Sequence, residues 1–248
     1  MKSHTSTEAD HSPDAINLRL ANKPTHGYLG DAVLGAIDGC VTTFAIVAGA
    51  VGAGFSGGVV VILGFANLIA DGFSMAASNY LGTKSERERI DNIRLAEDRQ
   101  IEAGPEGERE EIRQIFVRKG FTGEVLEKIV ATITANRPLW VETMVREEFG
   151  MEITGRLPLR AALATFAAFV CAGLLPLLSF LIPYLESQAR FRISILLAGV
   201  TFAFIGVAKG MLLQRPVLRA GLETLLVGGG AAGLAYAVGA WLRYLYGA

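Results

Sequence analysis

The sequence predicts an all-α membrane protein: five transmembrane helices, with a water-facing helical domain inserted between the second and the third. Three observations carry that prediction. The 248 residues are 51% hydrophobic and only 19% charged, with a mean hydropathy of +0.39, which is too apolar for an ordinary soluble domain. Five apolar runs are long enough to cross about 30 Å of hydrocarbon, which takes about 20 helical residues. The charge is gathered in one place, because Lys84 to Arg156 carries 13 of the 23 Lys+Arg and 16 of the 24 Asp+Glu.

Residues 1–27 read as a polar tail. No basic n-region followed by an apolar core is visible there, so no cleaved secretory signal is expected and the N-terminus is assigned to the cytosol. Residues 28–83 hold the first two spans, near Leu29–Gly54 and Gly58–Leu81. Residues 84–157 form the inserted helical domain. A charged helix over Lys84–Ala103 continues the second span beyond the membrane, and Gly104-Pro105 breaks it. Glu106–Lys119 resumes with Ile112, Ile115 and Phe116 on one face until Gly120 ends it. A further helix is expected over Glu124–Ala135, and Pro138 suits the first turn of another that stops at Gly150.

Residues 158–248 hold the last three spans, near Leu159–Tyr184, Ile193–Leu213 and Leu222–Leu242. Pro176 falls inside the third and is expected to kink it. Strands do not fit, since the runs lack a two-residue period and exceed the roughly 10 residues of a barrel strand. Gly35 with Gly39, Gly206 with Gly210, and Gly229 with Gly233 recur at the four-residue spacing that lets membrane helices approach closely. The connection around Phe55–Gly57 has no Lys or Arg, the third holds Arg190 and Arg192, and the fourth holds Arg215 and Arg219 with Lys209 nearby. The first, the fourth and the inserted segment place the N-terminus in the cytosol, and five spans then put the C-terminus outside.

Composition removes several function classes. A net charge of -1 and a pI near 6.3 lack the clustered Lys and Arg that nucleic-acid binding needs. Cys40 and Cys171 lie in apolar runs and form no metal or redox motif. His4, His11 and His26 all precede the first apolar run. That excludes HExxH zinc sites, His-ligated haem and ExxH di-iron bundles, so oxygen and sulfur must hold any metal in the body of the chain.

Ionisable groups inside spans are costly and are functional candidates by default. Asp38 and Asp71 are the two deepest. Asp31, Asp38 and Thr42 fall on one face of the first span, and Asn67, Asp71, Met75 and Asn79 follow at four-residue spacing on the second. A carboxylate beside a thioether suits a borderline divalent transition ion better than Mg²⁺ or Ca²⁺. The same carboxylate can take up a proton as metal leaves. In the inserted domain Glu97 and Gln100, Glu108 and Glu111, and Met144 and Glu148 form pairs that each share a helix face. From spacing alone, a solvated acidic face is the favoured explanation of these pairs, since charge runs are usually just that.

The stretch from Asp31 through Asp38 to Thr43, the run Ala66–Tyr80 that contains Asp71 and Met75, and Lys84-Ser-Glu resemble the vacuolar iron transporter family. The likeness extends over nearly the whole chain after Gly27. It implies five spans, a cytosolic helical metal-binding domain between spans two and three, a homodimeric pore, and exchange of Fe²⁺, with Mn²⁺ as a second candidate, for protons. By motif it makes Asp38 and Met75 the acid and thioether of the translocation path. It makes Glu97, Gln100, Glu108, Glu111, Met144 and Glu148 the cytosolic metal site. Gln100 and Val145 depart from the family pattern, which has a carboxylate and a thioether there. Asn67 replaces a membrane glutamate, with Asp71 one turn later as the substitute ligand. The resemblance implies no cofactor and no enzymatic reaction; divalent metal and protons are the substrates, the bilayer and a second copy the partners. The expected location is a bacterial inner membrane, with a vacuolar membrane as the alternative. A membrane-anchored metal sensor or storage protein, and an intramembrane aspartyl protease lacking the usual GxGD signature, are the other classes considered.

Overall fold

A computed structural model of the chain describes residues 12–21, 27–152, 155–212 and 216–247. Most of the predicted tail, with His4, His11 and His26, lies outside the described residues. Among the described residues the chain forms nine α-helices: α1 (Pro13–Ala21), α2 (Leu29–Gly52), α3 (Gly57–Ala103), α4 (Pro105–Arg118), α5 (Gly123–Thr134), α6 (Arg137–Glu147), α7 (Pro158–Leu177), α8 (Ser187–Leu212) and α9 (Val217–Tyr246). Five of them, α2, α3, α7, α8 and α9, are long and apolar enough to cross a membrane. The chain is a multi-pass membrane protein.

The spans start and end close to where the apolar runs do, with two informative differences. Helix α8 begins at Ser187, ahead of Ile193, and α9 runs from Val217 to Tyr246, beyond Leu222–Leu242 at both ends. An apolar run marks only the part of a helix that meets hydrocarbon; the ends project into the interface, where Arg and Tyr are well accommodated. Pro176 lies inside α7, which tightens into a 3-10 turn over Leu178–Leu181 immediately afterwards. Proline removes a helical hydrogen bond and crowds the preceding turn, so the regular helix ends there.

Helix α2 is the axle of the bundle and packs against α7, α9, α3 and α8. Glycine permits this. A Cβ on Gly35 or Gly39 would stand 2.2 Å from the carbonyl oxygen of Thr165 or Phe169 on α7, a distance no side chain tolerates. Gly206 plays the same part between α8 and α9, where its Cβ would meet Gly221 Cα at 2.4 Å. Gly229 and Gly233 have nothing within 4 Å, so their spacing serves no packing among the described residues of this chain.

Helix α3 has 47 residues and is therefore roughly 70 Å long, more than twice the hydrocarbon thickness. Its charged half projects beyond the bundle; α4 and α6 fold back against it, and α5 packs on α4 and α6. Ile90, Ile101, Ile112, Leu126, Val130, Ile133, Trp140, Val141, Met144 and Val145 form a buried apolar cluster separate from those of the bundle. Gly104 ends α3 and Pro105 opens α4, as the helix-breaking pair predicts. Asn136 accepts a hydrogen bond from Leu139 N–H at 3.2 Å and caps α6, with Pro138 in its first turn. Ion pairs tie the helices together: Arg113 grips Glu127 through Nε at 2.8 Å and Nη2 at 3.0 Å, and Arg137 Nε donates to Asp98 at 2.6 Å.

The glycine contacts give a direct test of the packing. Gly39→Ala is expected to destabilise the chain by roughly 1–3 kcal/mol, the usual range for overpacking. Gly229→Ala is expected to change stability little, because its Cβ would meet nothing. Thermal unfolding of both variants in detergent checks this, and equal melting temperatures would contradict the assigned α2–α7 contact.

Candidate functional site

Two asparagines set the register of α3 on α2. Asn67 Nδ2 donates to Thr42 Oγ1 at 3.2 Å and reaches Thr43 Oγ1 at 3.5 Å. Asn79 Nδ2 donates to Asp31 Oδ1 at 2.9 Å and to Thr165 Oγ1 of α7 at 2.6 Å. Both asparagines therefore do the helix-bridging work that membrane packing asks of polar side chains. Because the helices are antiparallel, these two pairings bring Asp38 level with Asp71, and Met75 level with Leu34 and Gly35. Asp38 and Asp71 are half-buried and close enough to interact electrostatically. Met75 packs against an apolar cluster that includes Leu68, Phe169 and Leu177. The structure thus unites the two aspartates from separate helices and leaves Met75 one turn away along the same stripe.

The end of α2 carries a polar junction whose partners were not legible in the sequence. Asp31 is 8% exposed. Its carboxylate accepts from Asn79 through Oδ1 and from Arg156 Nη2 through Oδ2 at 2.5 Å. Thr83 Oγ1 donates to Asn79 Oδ1 at 3.2 Å and completes the chain of bonds. The periodicity put Asp31 on the face of Asp38, but no local signal points to Arg156, which lies 125 residues away.

The second group of candidates gathers where α3, α4 and α6 meet. Glu97 is 2% exposed and Glu108 7%, and the Oε2 atom of each is buried without a hydrogen-bond partner. Glu111 and Glu148 are exposed at the edge of the same cluster. Burial first, then the charges of Glu108, Glu148 and Glu111, pushes Glu97 up to about 7. Burial and the neighbouring carboxylates raise Glu108 as well, and burial and Glu111 raise Glu148. Buried carboxylate oxygens without donors are costly unless protonated or matched by a cation. Met144 and Val145 are both fully buried in the apolar cluster, while Gln100 is exposed on α3. Among the described residues no group of three or more His, Cys, Asp or Glu side chains is placed to hold a metal ion. The cluster is an open acidic patch with a buried floor.

The VIT family profile matches residues 29–240. The chain belongs to the VIT family. It is 32% identical over 258 residues to a vacuolar iron transporter of Toxoplasma gondii, covering 98% of this chain and 85% of that protein. It is 31% identical over 208 residues to vacuolar iron transporter 1 of Arabidopsis thaliana, covering 83% of this chain and 82% of the relative. A vacuolar iron transporter of Plasmodium falciparum is 27% identical over 205 residues, covering 79% and 75%. These relatives are named as transporters and none as an enzyme. The family match spans every candidate residue from Asp31 to Glu148.

Glu97 gives a pH signature with a defined sign. It titrates at about 7 in the folded chain against an ordinary 4.5, so the folded state binds more protons between those values. The stability that Glu97 itself contributes to the metal-free chain is therefore full below pH 4.5 and is lost as pH rises through 7. Glu97→Gln is expected to flatten that fall. Melting temperatures of the full chain in detergent with chelator, across this window, measure it; a wild-type curve that is already flat would contradict the buried Glu97 assignment.

Proposed function

We propose that the chain exports Fe²⁺ from the cytosol in exchange for protons, with Mn²⁺ as a second substrate. The observation that carries this reading is the pairing of Asp38 and Asp71 inside the bundle, where neither carboxylate has a hydrogen-bond partner among the described residues. Carboxylates so placed need a cation or a proton, and alternation between the two is the chemistry of an exchanger. The transporter names of the relatives support iron as the cargo.

In this reading the inserted helices face the cytosol and collect metal. Glu97, Glu108, Glu111 and Glu148 supply oxygen donors, with Gln100 and Met144 as the remaining members of the set. Metal passes from there to Asp38 and Asp71, with the Met75 thioether favouring transition ions over Mg²⁺ and Ca²⁺. Each carboxylate that releases metal takes a proton, and no resident cofactor is involved. A homodimer belongs to the reading, because a second copy against the exposed flank of α3 at Leu63, Ala70 and Ser74, beside the Asn67–Asp71 stripe, would cover the half-buried aspartates. The relatives' names favour a vacuolar membrane; a bacterial inner membrane is the other proposed location.

A metal store or sensor without transport is the second reading, and the separate core of the inserted helices favours it. Flux separates the two. Asp38→Asn is expected to lower Fe²⁺ uptake into proteoliposomes by at least about tenfold, the scale of a disturbed metal site, with insertion and assembly intact. Asp71→Asn is expected to give a smaller loss or an altered ion preference. Unchanged uptake in the Asp38 variant would contradict the pathway role. Replacing Glu97, Glu108, Glu111 and Glu148 together by Gln is expected to remove metal binding by the inserted helices while helix content, followed by circular dichroism, is kept. Calorimetry on the full chain would expose undiminished binding, which contradicts the cytosolic site.

A further inference from the structure

Arg156 stands in the connection that joins the inserted helices to the bundle, two residues before α7 begins at Pro158. The next residue, Leu157, donates its N–H to the Tyr28 hydroxyl at 3.1 Å, so the connection is held over the end of α2. From there Arg156 reaches the Asp31 carboxylate. Asp31 shares a helix face with Asp38, which lies about 10 Å deeper along the helix. It also occupies the end of the bundle nearest the acidic cluster of the inserted helices. Any cation travelling from that cluster to Asp38 meets Asp31 first.

The Asp31–Arg156 pair differs from a structural lock in how it is bonded. A locking Arg grips a carboxylate through a bidentate fork, whereas Arg156 offers Asp31 a single N–H at Nη2. Its Nε is buried and has no hydrogen-bond partner. The guanidinium is thus partly desolvated without full compensation, which makes the pair weak for its depth. The side chain is 28% exposed, so water is within reach when it lets go. Asn79 bonds the other carboxylate oxygen of Asp31, Oδ1, so this hydrogen bond does not pass through Arg156.

We propose that Arg156 is a tethered cation that occupies the Asp31 carboxylate while no metal is at the mouth of the pathway, and that an arriving divalent cation competes with it there. This inference rests on the transport reading above. A dication brings twice the charge of the guanidinium to Asp31 and displaces it, while a monovalent ion brings no Coulombic advantage over a cation already tethered in place. Arg156 is therefore a specificity-determining residue, acting through Asp31 and setting the threshold concentration at which metal enters.

Two measurements test it. Initial rates of anaerobic Fe²⁺ uptake by the full chain in proteoliposomes give KM and kcat. Arg156→Gln is expected to lower KM several-fold and to make uptake more sensitive to competing Na⁺. Arg156→Lys is expected to restore KM, since a lysine keeps a tethered charge and a single bond. A lowered kcat with unmoved KM in Arg156→Gln would mean that Arg156 only pins the connection, and would overturn the proposal. The second measurement needs no variant to fold: phenylglyoxal modification of Arg156 in the wild-type chain, followed by peptide mass mapping, is expected to quicken with Fe²⁺ but not with Na⁺. A rate that Fe²⁺ leaves unchanged or slows would overturn it. Absence of uptake by the wild-type chain would overturn the transport reading and this inference together, whereas normal uptake with unmoved KM overturns this inference alone.

Discussion

A carboxylate away from bulk water must be neutralised, and this chain holds carboxylates in that condition at three depths. Each level meets the demand differently. At the inserted helices, Glu97 is pushed up to about 7 by burial and by its acidic neighbours, so a proton shares the site with any cation that visits. At the mouth of the bundle, Asp31 is satisfied from within the chain by Asn79 and Arg156. Deepest, Asp38 and Asp71 interact electrostatically and have no side-chain hydrogen-bond donor among the described residues, and on the proposed function a mobile ion or proton answers them.

That arrangement depends on how closely α2 can be packed. Gly35 and Gly39 let α7 come within backbone distance, and the same approach brings Thr165 to Asn79 and hence Asn79 to Asp31. The polar register of α2 on α3 is thus secured by a third helix. A side chain at Gly39 would disturb both the packing and the level at which Asp38 meets Asp71.

Much of this was legible in the sequence because hydrophobic length and charge segregation are local signals. The five spans, the Gly104-Pro105 break and the Pro138 helix start follow from composition and backbone chemistry within a few residues. The stripe Asn67–Asp71–Met75–Asn79 was also visible, but its members divide in the structure: the asparagines bridge helices, and Asp71 is left to face Asp38. The gathering of Glu97, Glu108, Glu111 and Glu148 needed three helices to fold back on one another, and spacing within each helix could not distinguish that from a solvated face. Arg156 illustrates the limit most clearly. It closes a contact with Asp31 across 125 positions, through a connection with no periodic pattern of its own.

The central claim is that iron and protons exchange through one set of carboxylates, and the most direct measurement records both at once. Wild-type chain reconstituted in vesicles with a trapped pH dye is given external Fe²⁺ under anaerobic conditions, and metal entry and internal pH are followed together. The account expects internal pH to rise as Fe²⁺ enters, and an imposed outward proton gradient to speed entry. Iron entry that leaves internal pH unchanged and ignores the gradient would contradict it.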